Sequence, residues 1–353
     1  MINKEFTQVS RQRLEKVAEL TAIASPTGYT YDIMEHLQQQ FSDKDIPTTL
    51  TPKGGLLVTM KGQDDKRQRF VTAHVDTLGA IVREIKGNGR LKLDLIGGFL
   101  YNAIEGEYCT VHVASNQSKI SGTILMHQTS VHVYKDARTA ERNQDNMEVR
   151  LDMPVENEED VRELGIDVGD FISFEPRIEI TDSGFIKSRH LDDKVSAAIL
   201  IEMIEKIHNN ELELGHTTHF YFSNNEEIGY GGNSNIPAEV EEYLAVDMGA
   251  LGDGQQSDEF TVSICVKDAS GPYHYQMRQE LIALCQEKDI EYKLDIYPFY
   301  MSDATGAMRA GYDVRHALIG AGIDSSHAFE RTHFTSVDHT ADLIQAYLES
   351  SMK

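Results

Sequence analysis

Basic residues are scarce in this chain. Lys and Arg number 33 against 57 Asp and Glu, which leaves a formal net charge of −24. A surface so poor in positive charge is unsuited to nucleic acid, whose phosphates need a basic face. It is suited to drawing in cations. Cysteine is scarce too: Cys109, Cys265 and Cys285 lie far apart and form no CxxC pair. Neither a zinc knuckle nor a disulfide framework is expected from that spacing, and a reducing compartment fits it. Long apolar runs are also missing. The longest, VSAAILIEMI, is interrupted by Glu202 and is too short to span a bilayer. The amino-terminal stretch MINKEFTQVSRQRLEK is polar and has no apolar signal core. These absences lead us to expect a soluble, cytoplasmic protein with neither nucleic acid nor membrane as a partner.

What is present is a chain of 353 residues, long enough to bury a large core in one or two domains. Residues 10–24 carry apolar side chains at helical spacing (Leu14, Val17, Ala18, Leu20, Ile23) and stop at SPTG. Residues 30–41 read as a second helix, and GGLLVTM and RFVTAHVD as strands. Between about 80 and 175 the texture changes to short alternating stretches such as TVHVA and GTILMH, split by glycines and polar turns, which predicts an all-β insert. From 185 onward helices and strands alternate. DDKVSAAILIEMIEKIHN, YHYQMRQELIALCQEKDI and SVDHTADLIQAYLESSM are helical; THFYFSNN, YLAVDMG and RHALIGAG are strands. Such alternation predicts an α/β fold with a mostly parallel sheet flanked by helices. We expect a discontinuous catalytic domain over 1–79 and 176–353, interrupted by a β-barrel-like domain over 80–175. The stretch 134–147 (YKDARTAERNQDNM) reads as a loop.

Polar groups gather where the sheet strands should end. VTAHVD delivers His74 and Asp76, and SRHLDDK delivers Asp192 and Asp193 before a helix. FYFSNNEE delivers Glu226 and Glu227, YLAVD delivers Asp247, and SSHAFERTH adds His327 and His333. In open parallel sheets, ligands bind beyond the carboxyl ends of the strands. Each piece also has an ordinary reading: LDDK as a helix cap, NNEE as a solvated turn, AVD as a strand end. Together they offer imidazole and carboxylates to one crevice. Converging carboxylates repel and their pKa values rise unless a cation intervenes. His with Asp and Glu suits zinc, cobalt or manganese. One glutamate of the 226–227 pair can then hold metal while the other moves a proton, and residue types alone leave open which does which. His112, His127, His132, His216 and His219 read as structural. In YPFYMSDATGAM (297–308), Tyr300, Ser302, Asp303 and Thr305 read either as recognition groups or as turn and cap residues.

These motifs, in this order, resemble the tetrahedral-type dinuclear metallo-aminopeptidases, the glutamyl and deblocking aminopeptidase group. TAHVDTLG, SRHLDDKVSAAILIE, FSNNEEIGYGG, AVDMG and ERTH carry the resemblance over most of the chain, and ELGIDVGDFISFEP looks like the return from the family's β insert. The resemblance implies a zinc-exopeptidase-like fold. It also implies two divalent ions per subunit, zinc or cobalt with manganese as an option. His74 would bind one ion, Asp192 would bridge both, Glu227 and Asp247 would each hold one, and His333 would complete the set. Glu226 would be the general base and Asp76 the carboxylate that orients His74. Two departures stand out. Val195 and Ser196 follow LDDK where the family has a glycine. FERTHFTS replaces an Arg-Tyr-x-His-Ser type signature, which makes His327 a rival to His333.

The implied activity is removal of N-terminal residues from short peptides by a metal-activated water. The implied assembly is a homo-oligomer of dimers building to a dodecamer through the β insert. One alternative is a specialised deacylase or amidase acting on a small blocked peptide, since SSHAFERTH looks like a subgroup associated with an osmoprotectant dipeptide amide. Another is a non-catalytic metal-binding assembly protein, against which an intact Glu226 argues.

Overall fold

The computed structural model describes residues 5–353; the first four residues of the polar amino-terminal stretch lie outside them. Eight strands form the main sheet, in the order Thr49–Leu50, Leu56–Met60, His216–Ser223, Asp64–His74, Val240–Ala250, Arg315–Ile323, Val262–Lys267 and Tyr292–Ile296. Its centre is parallel, from His216–Ser223 through Asp64–His74 and Val240–Ala250 to Arg315–Ile323. Antiparallel pairings occur toward both edges.

The central strands are apolar on both faces because helices cover both. Along His216–Ser223, Phe220 and Phe222 enter the larger core with Leu14, Leu37 and Phe41, while Tyr221 between them packs with Phe70, Tyr243 and Tyr297 on the opposite face. A near-continuous apolar run is what a doubly covered sheet requires. Helices Gln8–Thr21, Leu191–His208 and Phe334–Glu349 supply much of the larger core. The segments read from periodicity as helices and strands occupy those states, with ends shifted by a few residues. Strands Val262–Lys267 and Tyr292–Ile296 and the helix Asp303–Arg309 were not anticipated.

The insert is a closed antiparallel barrel. Its strands run Gly79–Ile85, Leu91–Ile96, Met147–Leu151, Lys119–Met126, Tyr108–His112 and Phe171–Phe174, the last pairing back onto the first. Its own core contains Val82, Leu93, Val111, Ile124, Val149 and Ile172. Closure leaves no open edge to pair with other chains. The chain leaves the sheet at Gly79, where an added Cβ would lie 2.4 Å from the Pro26 side chain. The stretch 134–147 has neither helix nor strand before Met147, which begins the strand Met147–Leu151, yet Arg142 pairs with Glu105 and Gln144 donates to Asp94, tying it down.

Opposite the strand ends that carry the acidic residues, a buried ion network fastens the sheet to the last helix. Arg69, 1 % exposed, donates through Nε to Glu242 Oε2 at 3.0 Å and through Nη1 to the Ser350 carbonyl at 3.0 Å. The guanidinium stacks on Tyr347, whose hydroxyl donates to the same Glu242 oxygen at 3.0 Å. Removing one partner of such a pair strands a buried charge, at a cost of about 3–5 kcal/mol. Arg69→Met should therefore lower the thermal unfolding temperature by roughly ten degrees. An unchanged melting curve would show that Arg315, also paired with Glu242 at 2.8 Å, suffices alone.

Candidate metal centre

His74 closes the strand Asp64–His74, level with Ser223 on the neighbouring strand. Asp247 lies on Val240–Ala250, level with Gly320. Glu226 and Glu227 begin a short 3-10 turn just past Ser223, capped by Gly229 at a φ of 85°, a conformation that favours glycine. Asp192 and Asp193 open the helix Leu191–His208 and are joined by a cis peptide bond. The four segments thus converge beyond the carboxyl ends of the central strands.

The ring nitrogens of His74 have separate jobs. Its Nδ1–H donates to the Asp76 carbonyl at 2.9 Å, because a carbonyl can only accept. That leaves the Nε2 lone pair facing Asp192 Oδ1 at 3.0 Å, with Glu226 Oε2 at 3.9 Å and Asp247 Oδ1 at 4.0 Å. His327 repeats the pattern. Its Nδ1 donates to the Gly98 carbonyl, contributed by the barrel segment, at 2.8 Å, and its Nε2 lies 3.4 Å from both Asp192 Oδ2 and Glu227 Oε2. Two imidazole lone pairs therefore point at carboxylate oxygens that also only accept. Such contacts need a cation or extra protons between them.

Electrostatics give the same picture. Burial, followed by the charge of Asp247, holds the Glu226 and Asp193 carboxyls well above their ordinary range. Burial pushes Glu227 to about 8, with His327 opposing, and burial plus the charge of Asp192 pushes Asp247 to about 7. Burial disfavours charge on the histidines, but Asp192 and its neighbours raise His74 well above its usual value, and Glu227 and Asp192 raise His327 to about 11. A cluster of this kind is short of positive charge. The buried Asp193 Oδ1 has no hydrogen-bond partner, a further open position. Two groups have the geometry to hold an ion: His74, Asp192 and Glu227, and His74, Asp193 and Asp247, each with donor atoms within 4.8 Å of one another. The donor set of imidazole nitrogen and carboxylate oxygen fits a zinc-like divalent ion.

A supporting layer fixes these groups. The Asp76 carboxylate lies 3.5 Å from His74 Nδ1 and accepts from the backbone N–H groups of Glu226 and Glu227 at 3.1 and 3.3 Å and from the Thr27 hydroxyl at 2.7 Å. It orients the glutamate turn as much as the histidine. Glu330, 2 % exposed, accepts from the backbone N–H of Asp192 at 3.1 Å and of His327 at 3.2 Å, one with each oxygen. Asp303 accepts from the Ser223 hydroxyl at 2.5 Å and the Gly232 N–H at 2.6 Å, which anchors the glycine stretch behind Glu226. Ser302 is the N-cap of the helix Asp303–Arg309.

His333 is not in this cluster. It caps the helix Phe334–Glu349: Nδ1 accepts from the Thr335 N–H at 3.3 Å, and Nε2 donates to the Ser183 carbonyl at 2.9 Å. With both nitrogens used and its ring packed against Phe185 and Phe260, it has nothing left to offer a metal. The structure keeps His333, expected as a ligand, apart from the other expected ligands, and His327 lies beside Asp192 and Glu227 instead. Sequence reasoning missed Glu330, which looks like an ordinary surface charge within ERTH. It also gave Asp193 no separate role.

Residues 54–343 match the model of the M42 glutamyl aminopeptidase family. YhfE of Bacillus subtilis (strain 168), provisionally named an aminopeptidase, is 61% identical over 342 residues, covering 97% of this chain and 99% of that one. Among solved structures, aminopeptidase APDkam598 from Desulfurococcus kamchatkensis superposes with a TM-score of 0.86 at 19% identity, covering 98% of this chain and 96% of that one. The Pyrococcus horikoshii TET1 peptidase superposes with a TM-score of 0.83 at 21% identity, covering 95% and 99%. These two likenesses establish the fold, an α/β sheet domain interrupted by an antiparallel β domain. The family match over most of the chain, with the YhfE relationship beside it, shows that this protein belongs to the M42 glutamyl aminopeptidase family and is a peptide hydrolase.

Proposed function

We propose that the protein removes N-terminal residues from short peptides, using two divalent metal ions and Glu226 as general base. His74 and Asp247 would hold one ion, Glu227 and His327 the other. Asp192 would bridge them, since Oδ1 faces His74 and Oδ2 faces His327. When bound, such ions act as Lewis acids and lower the pKa of a water molecule.

The observation that carries the reading is the separation of the paired glutamates. Glu227 falls within a metal-holding triad; Glu226 falls in neither, yet its Oε2 lies 3.9 Å from His74 Nε2. Burial and the neighbouring Asp247 raise its proton affinity, so as a carboxylate it would take a proton from the attacking water and then deliver it to the leaving amine. Asp76 and Asp303 hold the backbone around it, which keeps the base at a fixed distance.

We further propose assembly into a homo-oligomer with the barrel as contact module, dimers building to a dodecamer. The TET1 relative, which assembles into a tetrahedron or a large octahedral shell, supports this. Among the described residues no helix is long and apolar enough to cross a membrane.

Glu226→Gln should keep the bound metal and lose turnover by roughly 10²–10⁴-fold on free-amine peptides. Metal analysis alongside steady-state rates tests both halves, and wild-type turnover in the variant would remove Glu226 from the reaction. Chelation should abolish activity, and zinc, cobalt or manganese should restore it; restoration only on N-acylated peptides would shift the reading to a deacylase. His327→Ala should lose about one ion per subunit with its activity. His333→Ala should keep its metal and lose about 1 kcal/mol of stability as the helix loses its cap. The reverse pattern in metal content would return the ligand to His333.

A further inference from the structure

A cavity of about 420 Å³ opens beside the metal centre, and it shares His327 with it. That volume is within the range of small-ligand sites. Its walls are largely apolar: Met248, Ala250, Leu251, Pro298, Phe299 and Ile323. Two of these walls adjoin the site. Met248 follows Asp247 directly, and its N–H donates to Asp247 Oδ1 at 2.6 Å. Ile323 ends the strand Arg315–Ile323, level with Ala250 and a few residues before His327. Tyr300 packs edge-on against Tyr297 with ring centroids 5.5 Å apart, and its buried hydroxyl faces the Asp247 carboxyl, whose pKa it helps to hold down.

The charges around the cavity are one-sided. None of the described residues lining it is Lys or Arg, and Asp253 on the exposed rim carries the one formal charge apart from His327. His327 is already engaged with Asp192 and Glu227. Phe299 lines the same space while 99% exposed, an aromatic surface left for something to cover. A carboxylate placed against these walls would lose part of its hydration and find no Lys or Arg to pair with, which is costly. An ammonium side chain would find only the solvated Asp253, whose attraction water screens.

We infer that this cavity receives the side chain of the peptide's N-terminal residue and selects neutral apolar ones (Leu, Met, Phe) over acidic or basic ones. The inference rests on the aminopeptidase reading above and gives it a substrate class, one at odds with the glutamyl name of the family. Leu251 and Phe299 are the residues through which the selection acts.

The test uses the metal-loaded full-length enzyme and dipeptides X-Ala, with X as Leu, Met, Phe, Gly, Lys or Glu. We expect Leu, Met and Phe to give the highest kcat/KM, with Glu and Lys roughly tenfold to hundredfold lower. Fastest cleavage of Glu-Ala or Lys-Ala would overturn the inference and leave the aminopeptidase reading standing. Cleavage of none of the six by metal-loaded enzyme would overturn both. Leu251→Arg should shift the Glu-Ala to Leu-Ala ratio upward at least tenfold, by the charge it adds. Phe299→Ala, at a solvent-exposed position where folding is not at stake, should lower kcat/KM for Phe-Ala and Leu-Ala severalfold more than for Gly-Ala. If neither variant alters the ratios, the cavity is not the side-chain subsite.

Discussion

Mutual repulsion among buried carboxylates is the constraint on which this structure turns. Asp192, Asp193, Glu226, Glu227 and Asp247 meet beyond the ends of the central strands, three of them 4 % exposed or less. The ion-pair partners of Asp192, Glu226, Glu227 and Asp247 among the described residues are the imidazoles of His74 and His327. A fold does not gather like charges out of water without compensation. The compensation fits divalent cations, because each imidazole gives its Nδ1–H to a backbone carbonyl and turns its Nε2 lone pair toward the acids. A hydrogen bond on the far nitrogen fixes the tautomer and the ring orientation that a metal ligand needs.

The rest of the centre serves to hold those charges still. Asp76 joins the end of one strand to the turn after the next, and so couples the position of His74 to that of Glu226 and Glu227. Glu330 ties the backbone of Asp192 to that of His327, two segments far apart in sequence. The barrel takes part through the Gly98 carbonyl, which sets the ring of His327. The insert therefore contributes directly to the geometry of the site. These supports are polar groups satisfied by backbone donors, and such networks are rigid when complete.

Much of this was legible in the sequence. The alternation of strands and helices gives the α/β class, and the placement of HVD, LDD, NNEE and AVD at strand ends and a helix start points to one crevice. The structure brings His74, Asp76, Asp192, Glu226, Glu227 and Asp247 into it. What the sequence did not disclose depends on backbone geometry. His327 and His333 are six positions apart and chemically alike. The choice between them turns on left-handed φ values of 60° at Ser325 and 66° at His327, and on the capping role of His333. No periodicity reports those angles. Glu330 and Asp193 were hidden for a related reason: an acidic residue in a polar stretch reads as solvated until tertiary contacts bury it. A barrel-like insert was expected, but the order of its strands was out of reach, since alternation shows strands and not which of them pair.

The central claim is that this carboxylate and imidazole cluster is a two-ion centre completed by His327. Anomalous diffraction from crystals of the protein loaded with zinc tests it most directly. The account predicts two zinc positions linked by Asp192, one against His74 and Asp247 and the other against Glu227 and His327, with none at His333. Zinc at His333, or a cluster that binds no zinc, would contradict it.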